Sequence, residues 1–184
     1  GSGTFGVESV ITSVINENGK LLIIANGAYG ERMADIAEHA GIPYEIYRED
    51  YRKVPRAAVV EKILREDPAI THAAMVHSET TSGILNDIEA IASVVKKHNK
   101  ILIVDAMSSF GGVDIEVGQL GIDFLISSAN KCIQGVPGFS FIIADKKKLS
   151  DSKGNARSLS LDLYDQRETM EKDGKWRFTS PTHT

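Results

Sequence analysis

Short, wholly apolar runs alternate along this chain with segments whose apolar side chains recur at helical spacing. The clearest apolar runs are 21–25 and 101–104, within the segments 20–25 and 101–105, and each segment has the pattern of a strand that is buried on both faces. Helical segments of about ten residues separate such runs, an arrangement that predicts a parallel or mixed sheet covered by helices on both sides. We therefore expect an α/β fold with three layers, αβα, around a mostly parallel, mixed central sheet.

The same periodicities give approximate bounds for the other elements. Further strands are predicted at 44–47, 71–77, 123–128 and 139–144. Helices are predicted near 4–19, 31–40, 55–65, 87–98 and 158–170. Thr4 is expected to cap the first helix, Gly41 to end the second and Pro55 to start the third, because these residue types favour those positions.

Charge and cysteine content exclude several classes of function. The formal net charge is −4, so there is no basic surface for nucleic acid or for an anionic membrane. No apolar run approaches the roughly 20 residues that span a bilayer. The chain's one cysteine cannot form an internal disulfide, which fits a reducing compartment. We therefore expect a cytoplasmic protein that binds neither nucleic acid nor membranes.

Polar side chains stand at the points where several predicted strands end. These side chains are Asn26, His77, Asp105 and Asn130. In parallel sheets covered by helices, ligands bind beyond the carboxyl ends of the strands. We therefore expect these side chains to lie around one site.

Lys131 and Asp105 together give the strongest indication of chemistry. Small residues at 127–129 precede Lys131 and glycines at 135 and 138 follow it, which leaves room for a ligand close to the backbone. Asp105 ends a wholly apolar strand, where an unpaired carboxylate is costly and implies a cationic partner. A lysine at a strand end is more often only a surface charge. The pair nevertheless predicts an enzyme dependent on pyridoxal phosphate, in which a lysine forms a Schiff base and a carboxylate keeps the pyridine nitrogen protonated.

The chain begins with a glycine-rich segment that contains Ser2, Gly3 and Thr4. Its letters match the dinucleotide fingerprint G-x-G-x-x-G, but no strand precedes it, and Asn26 stands where that fingerprint requires an acidic residue. A nicotinamide cofactor is therefore disfavoured. Free amides at a helix start attract phosphate, so the segment is interpreted as a phosphate-binding loop. The alternative is a linker left from expression.

Several other residues near the strand ends have two open interpretations. Tyr29 could stack on a flat ring or cover the core as a loop aromatic. Thr80 could donate its hydroxyl to a phenolate oxygen, although threonines in loops more often cap turns. His77 could take part in chemistry or satisfy a loop carbonyl, and Cys132 is expected to be a small buried apolar residue. No spacing typical of metal ligands and no G-x-S-x-G elbow occurs, so neither a metal site nor a serine hydrolase is predicted.

Three longer runs, 104–112, 125–139 and 175–184, resemble the signatures of one family. They are similar to fold-type I pyridoxal phosphate aminotransferases, in the class V branch that contains serine–pyruvate and alanine–glyoxylate transaminases. The resemblance covers the whole chain, and the latter two runs are long enough to be specific. It implies the fold of the family's large domain, pyridoxal 5'-phosphate as cofactor, and a homodimer whose sites are shared across the interface.

The resemblance also implies roles for the candidate residues. Lys131 corresponds to the catalytic Schiff-base lysine, and Asp105 to the partner of the pyridine nitrogen. The residues that correspond to the phosphate-binding loop are Ser2, Gly3 and Thr4.

Further matches surround the cofactor ring. Tyr29 corresponds to the aromatic residue that stacks on the ring, Met107 lies against the other face, and Thr80 corresponds to the hydroxyl that meets the phenolate oxygen. The segment 179–184 resembles the part that reaches the phosphate of the neighbouring subunit. Thr179 is the threonine expected to make that contact.

The implied substrates are a small-molecule amine and a 2-oxo acid. The resemblance points to transfer of an amino group from an aminophosphonate to pyruvate in phosphonate degradation. Another transaminase of the same branch, acting on alanine or serine with glyoxylate or pyruvate, is the alternative, as is a catalytically incomplete fragment. Residues 1–184 are expected to form the cofactor-binding large domain. The resemblance leads us to expect that the family's N-terminal segment, and its C-terminal small domain with an arginine for the acidic group of the substrate, are not included in these residues.

Overall fold

Helices and strands alternate along most of the chain in a computed structural model that describes residues 1–179. The helices are α1 (Gly3–Val14), α2 (Ala28–His39), α3 (Ala57–Glu66), α4 (Ile88–Lys97), α5 (Lys146–Asp151) and α6 (Leu163–Asp173). The strands are β1 (Lys20–Ala25), β2 (Tyr44–Arg48), β3 (Ile70–Val76), β4 (Ser78–Glu79), β5 (Ile84–Leu85), β6 (Ile101–Asp105), β7 (Phe124–Ser128) and β8 (Ser140–Ala144). The alternation predicted from the apolar runs is confirmed.

The main sheet has the strand order β2-β1-β3-β6-β7-β8. Its neighbouring strands are parallel except for β7 and β8, which are antiparallel. Helices α1 and α2 pack against one face and α3 and α4 against the other, each pair with its own cluster of buried apolar side chains. The predicted αβα fold with a mostly parallel, mixed sheet is therefore confirmed. Because β1, β3, β6 and β7 run in one direction, their carboxyl ends lie along one edge.

The ends of α1 differ from the sequence prediction. Ser2, not Thr4, is the N-cap, because Ser2 has extended dihedral angles and Thr4 already lies in the first helical turn. The helix stops at Val14 rather than near Gly19, because the backbone becomes extended at Ile15. Thr4 is thereby placed with its side chain beside the helix start, where it can contact a ligand.

Other predicted helix boundaries are partly correct. Gly41 follows α2 with φ 65°, as a glycine stop requires. Pro55 precedes α3 instead of starting it, because Arg56 is extended and serves as the N-cap. Helix α6 begins at Leu163 rather than near 158, because the Asp162 side chain caps it. The short elements α5, β4 and β5 were not predicted, since too few residues form them to show a period. Every helix within residues 1–179 falls short of the length and apolar character needed to cross a membrane.

His72, in β3, is expected to make the fold sensitive to acid. Its side chain is buried, Nδ1 lies 2.7 Å from the Thr71 hydroxyl, and Nε2 has no hydrogen-bond partner among the described residues. Burial, with a smaller contribution from the charge of Lys148, lowers the pKa of His72 from 6.5 to about 4. The unfolded chain therefore takes up this proton first as the pH falls. We expect stability to decrease from about pH 6.5 downwards, by up to about 3 kcal/mol near pH 4.

Urea unfolding between about pH 7 and pH 4.5 measures this loss. A His72→Leu variant is expected to show a free energy of unfolding that depends less on pH over this range. His39→Gln, at an exposed helical position, serves as the matched control and is expected to behave like the unchanged protein. Equal pH dependence in the His72 variant and the unchanged protein would contradict the prediction.

Candidate active site

A cavity of about 190 Å³ lies between the ends of β6 and β7 and the starts of α1 and α2. The residues predicted for the site that line this cavity are Ser2, Gly3, Thr4, Tyr29, Asp105, Met107 and Lys131. It is also lined by Val7, Arg32, Ser128 and Asn130. The fold thus brings together residues that lie far apart in the sequence, at the edge where parallel sheets bind ligands.

Lys131 lies in the turn that follows β7. The N–H of Gln134 donates to the Lys131 carbonyl at 2.8 Å, and the N–H of Gly135 donates to the Ala129 carbonyl at 2.7 Å. These bonds fix the backbone on both sides of the lysine. The side chain is exposed at the cavity, and within the described part of the chain no carboxylate pairs with its Nζ. The amine is therefore available to an electrophile in the cavity.

Asp105 ends β6 with a carboxylate that the protein only partly satisfies. The residue is 4% exposed, and Oδ1 accepts the N–H of Met107 at 3.0 Å. Burial raises the pKa of Asp105 to about 6. The hydrogen bond from Met107 and the positive charge of Arg32 oppose this rise, whereas the negative charge of Glu79 adds to it. A cationic N–H in the cavity would favour the ionised carboxylate, so Asp105 suits a protonated pyridine nitrogen.

The start of α1 offers backbone donors to an anion. The Ser2 carbonyl accepts the N–H of Phe5 at 3.0 Å, whereas the Ser2 side chain makes no capping hydrogen bond. The first-turn N–H groups of Gly3 and Thr4 have no acceptor among residues 1–179, and no acidic residue stands in that turn. Free amides and the positive end of the helix dipole favour a phosphate at this position.

Met107 connects this helix start to the end of β6. A Cβ added at Gly3 would overlap with Sδ of Met107, so the close approach depends on the glycine. Tyr29 lies in the first turn of α2, is half-buried and lines the same cavity. The cavity therefore has a phosphate-binding end, a lysine, a carboxylate and an aromatic side chain, which is a set that fits pyridoxal phosphate.

Some strand-end residues do not line the cavity. Asn26 instead donates to the Asn86 side chain at 2.8 Å, and Nδ1 of His77 lies 2.9 Å from the Ser109 hydroxyl. Burial lowers the pKa of His77. Because Asn26 and His77 find partners within the protein, the expectation that all the strand-end side chains surround one site is wrong for these two. Asp105 and Asn130, which lies in the turn after β7, do line the cavity.

Three other residues named from the sequence do not lie where they were expected or are more exposed than expected. Thr80 is exposed and outside the cavity lining, with its hydroxyl 2.7 Å from that of Ser108. Thr179 is exposed and does not line the cavity, and the rest of the segment predicted to reach a neighbouring subunit, 180–184, lies outside the described residues. Cys132 is exposed rather than buried, because the turn after β7 lies at the surface.

Two charged residues of this region were not predicted. Glu79 is fully buried and accepts the N–H and hydroxyl of Thr81 at 3.2 and 2.6 Å, and the N–H of Gly30 at 3.4 Å. It therefore connects β4 and the turn after it to the start of α2. The Arg32 guanidinium lies 4.8 Å from the centre of the Tyr29 ring. The sequence carried no clear signal for either residue, since both roles depend on contacts between distant segments.

Gly27→Ala is expected to disturb the region through Glu79. The added Cβ would overlap with Cγ and Cδ of Glu79 and lie 2.6 Å from the Thr81 hydroxyl oxygen. Because Glu79 is buried and held by hydrogen bonds, it cannot move aside freely. We expect a loss of about 1–3 kcal/mol in the free energy of unfolding, the usual cost of overpacking.

Chemical unfolding measures this effect. Gly118→Ala is the matched control, because a Cβ at Gly118 would meet nothing within 4 Å. The control is expected to unfold like the unchanged protein. If Gly27→Ala lowered the free energy of unfolding no more than Gly118→Ala does, the contact with Glu79 would not limit packing at Gly27.

Comparisons with known proteins give a consistent result. A family model described as aminotransferase class-V matches residues 1–182. The chain is 60% identical over 185 residues to the 2-aminoethylphosphonate–pyruvate transaminase of Vibrio vulnificus (strain CMCP6), covering 100% of this chain and 50% of that protein. It is 61% identical over 184 residues to the protein of the same name from Bacteroides fragilis (strain YCH46), covering 51% of it. The chain thus spans about half the length of these relatives.

Solved structures share the fold. The pyridoxamine-pyruvate aminotransferase of Mesorhizobium loti superposes with a TM-score of 0.89 at 28% identity, covering 98% of this chain and 47% of that one. An aspartate aminotransferase from Thermus thermophilus, of subgroup IV, superposes with a TM-score of 0.87 at 26% identity, covering 98% and 50%. The αβα arrangement described above is therefore also that of solved aminotransferases.

Proposed function

The chain belongs to the class-V aminotransferase family, and from this premise we propose that residues 1–184 form the cofactor-binding large domain of a transaminase. The proposed reaction transfers the amino group of 2-aminoethylphosphonate to pyruvate and yields phosphonoacetaldehyde and L-alanine. Identity of 60% along the whole chain to a transaminase of that name is the observation that carries the choice of substrates. The cavity with Lys131 and Asp105 supports the choice of chemistry.

Pyridoxal phosphate, the proposed cofactor, supplies an aldehyde that binds amines covalently and a ring that accepts electrons. Lys131 would hold this aldehyde through Nζ. With a substrate amine bound to the aldehyde instead, the free Nζ in the cavity would serve as a general base and acid, taking a proton from one carbon and returning it to another.

Asp105 keeps the pyridine nitrogen protonated. Its buried carboxylate has one oxygen bonded to the Met107 N–H and lies at the cavity. The opposite charge of a pyridinium would lower the pKa of Asp105 below the value of about 6 set by burial. The carboxylate and the ring nitrogen therefore stabilise each other's charged forms.

The remaining predicted residues are proposed to bind and orient the cofactor. Ser2, Gly3 and Thr4 hold the phosphate at the start of α1. Around the ring, Tyr29 and Met107 contact the two faces. The phenolate oxygen is assigned to the hydroxyl of Thr80, which can accept a hydrogen bond from the Ser108 hydroxyl and still donate its own proton.

The assembly is proposed from the family resemblance, and the location from the composition of the chain. We propose a cytoplasmic homodimer in which Thr179 contacts the phosphate in the neighbouring subunit. The runner-up activity is a transaminase acting on alanine or serine with glyoxylate or pyruvate, and a solved neighbour described as an alanine–glyoxylate aminotransferase has the same fold. Further residues of a longer protein are proposed to supply the arginine that binds the phosphonate.

The complete protein, supplied with pyridoxal phosphate, tests the choice of substrates. It is incubated with 2-aminoethylphosphonate and pyruvate, and separately with alanine and glyoxylate, and the amino acid and carbonyl products of each pair are quantified. Alanine and phosphonoacetaldehyde in equal amounts from the first pair are expected. Faster formation of glycine from the second pair would favour the runner-up. No amino transfer with either pair would contradict both.

The isolated chain tests how much of the chemistry lies in residues 1–184. Pyridoxal phosphate is added, and the absorbance change of its covalent bond to a lysine is followed. A change that is absent in a Lys131→Ala chain would support a competent cofactor-binding domain. No change in the unaltered chain would favour an incomplete fragment that needs the rest of the protein.

A further inference from the structure

Arg32 lines the cavity but has no part in the roles assigned above. It lies one turn into α2, and its Nη1 donates to the hydroxyl oxygen of Thr4 at 3.2 Å. The guanidinium also lies 4.8 Å from the centre of the Tyr29 ring. Arg32 therefore connects the start of α2 to the start of α1, where the phosphate is proposed to bind.

The guanidinium of Arg32 forms no ion pair with the described residues, although its charge acts on the buried carboxylate of Asp105 across the cavity. Arg48 and Arg167, by contrast, each pair with a glutamate. The other cation that lines the cavity is Lys131, and this lysine is proposed to hold the aldehyde. The guanidinium is thus the permanent positive charge that the described lining offers to a phosphate.

The free N–H donors of Arg32 lie next to those of the first turn of α1, so both sets can bind the same phosphate. A guanidinium has five N–H donors, and within the described residues only Nη1 of Arg32 makes a hydrogen bond. The acceptor, Thr4, belongs to the helix turn whose N–H groups are free. An anion held at the start of α1 would therefore meet both backbone amides and a charged side chain. Charged donors bind phosphate more strongly than neutral ones.

We propose that Arg32 binds the phosphate group of the cofactor together with the start of α1, an inference that rests on the proposed function. The phosphonate of the substrate has similar chemistry. The cofactor phosphate is favoured because Arg32 is bonded to Thr4, within the proposed phosphate loop. If Arg32 had a purely structural role and only oriented Tyr29, its replacement would weaken the binding of ligands with and without a phosphate equally.

The test compares pyridoxine 5'-phosphate with pyridoxine in the complete apoprotein. These ligands lack the aldehyde, so their binding does not depend on a covalent bond to Lys131. Calorimetry gives the affinity ratio of phosphate ester to free alcohol for the unchanged protein, Arg32→Gln, Arg32→Lys and the control Arg65→Gln. Arg65 is an exposed arginine in the last turn of α3, outside the cavity lining, and its replacement removes the same charge.

We expect Arg32→Gln to lower the ratio by roughly 10-fold to 100-fold, the factor for losing a hydrogen bond to a charged group. Arg32→Lys is expected to retain part of the preference, and Arg65→Gln all of it. An equal loss for both ligands would overturn the inference and show that Arg32 only orients Tyr29. The inference would also be overturned if Arg32→Gln had the same affinity ratio as the protein without substitutions. It would likewise be overturned if the protein without substitutions bound both ligands equally well.

A second measurement separates the two possible anions. With the cofactor saturating, the KM for 2-aminoethylphosphonate is expected to be similar in Arg32→Gln and the unchanged protein. A raised KM with an unchanged affinity ratio would assign Arg32 to the substrate and overturn the inference. If the proposed function itself were wrong, the protein without substitutions would show no amino transfer. That result differs from the outcomes that would overturn the inference on Arg32.

Discussion

Lys131→Ala is expected to abolish covalent binding of pyridoxal phosphate and to slow amino transfer by roughly 100-fold to 10,000-fold, the range for losing a general acid and base. The structure gives the physical reason. Lys131 contributes the amine of the cavity lining, and its backbone is fixed by the bonds at Gln134 and Gly135. No other lysine of the described residues lines the cavity, so none stands ready to replace Lys131.

Absorbance and single-turnover kinetics of the complete protein measure this effect. The cofactor's absorbance is followed before and after gel filtration, and the rate of the first half-reaction is measured with 2-aminoethylphosphonate. Lys62→Ala, at an exposed position on α3, is the control and is expected to behave like the unchanged protein. A Lys131 variant that kept both the absorbance and the rate would exclude this lysine from the chemistry.

Asp105→Asn is expected to separate catalysis from stability. The variant keeps the shape of the side chain but removes the charge that stabilises a pyridinium. The pKa of the ring nitrogen should fall by about 1–3 units, the effect of losing a neighbouring opposite charge. Amino transfer should slow accordingly, while Lys131 still binds the cofactor. Absorbance titration and the half-reaction rate test these two statements.

Although amino transfer should slow, the free energy of unfolding of the same variant without cofactor should not fall near neutral pH. The pKa of Asp105 is about 6 in the folded chain and 3.8 in the reference state, so the folded chain holds its proton more tightly. Stability from this group is present below about pH 3.8 and is lost as the pH rises through 6. We therefore expect apo Asp105→Asn to be at least as stable as the unchanged protein near neutral pH. A large loss of stability there would contradict the interpretation of Asp105 as a costly buried charge.

The sheet could be predicted from the sequence because its strands are marked locally. The bounds of β1 and β6 agree with the predictions, since each consists of an apolar run and one charged residue, Lys20 at the start of β1 and Asp105 at the end of β6. Helix ends were less predictable, because capping depends on dihedral angles that the sequence does not determine. Ser2 and Thr4 are both good caps, and the backbone selects Ser2.

The site was predictable where it follows strand ends. Lys131 and Asp105 were identifiable because each stands where a buried strand meets a loop, and family resemblance assigned their roles. Arg32 and Glu79 were not, because one acts across two helix starts and the other is buried under a loop. Asn26 shows the converse error, since a polar residue at a strand end can be satisfied by another side chain.

The identity of the lysine that holds the cofactor is central to everything proposed for this cavity. The complete protein is loaded with pyridoxal phosphate, reduced with borohydride and digested, and the modified peptide is located by mass spectrometry. A pyridoxyl group on the peptide that contains Lys131, and on no other lysine in stoichiometric amount, is the predicted result. Modification of a different lysine, or none after loading, would contradict the assignment of this cavity as the pyridoxal phosphate site.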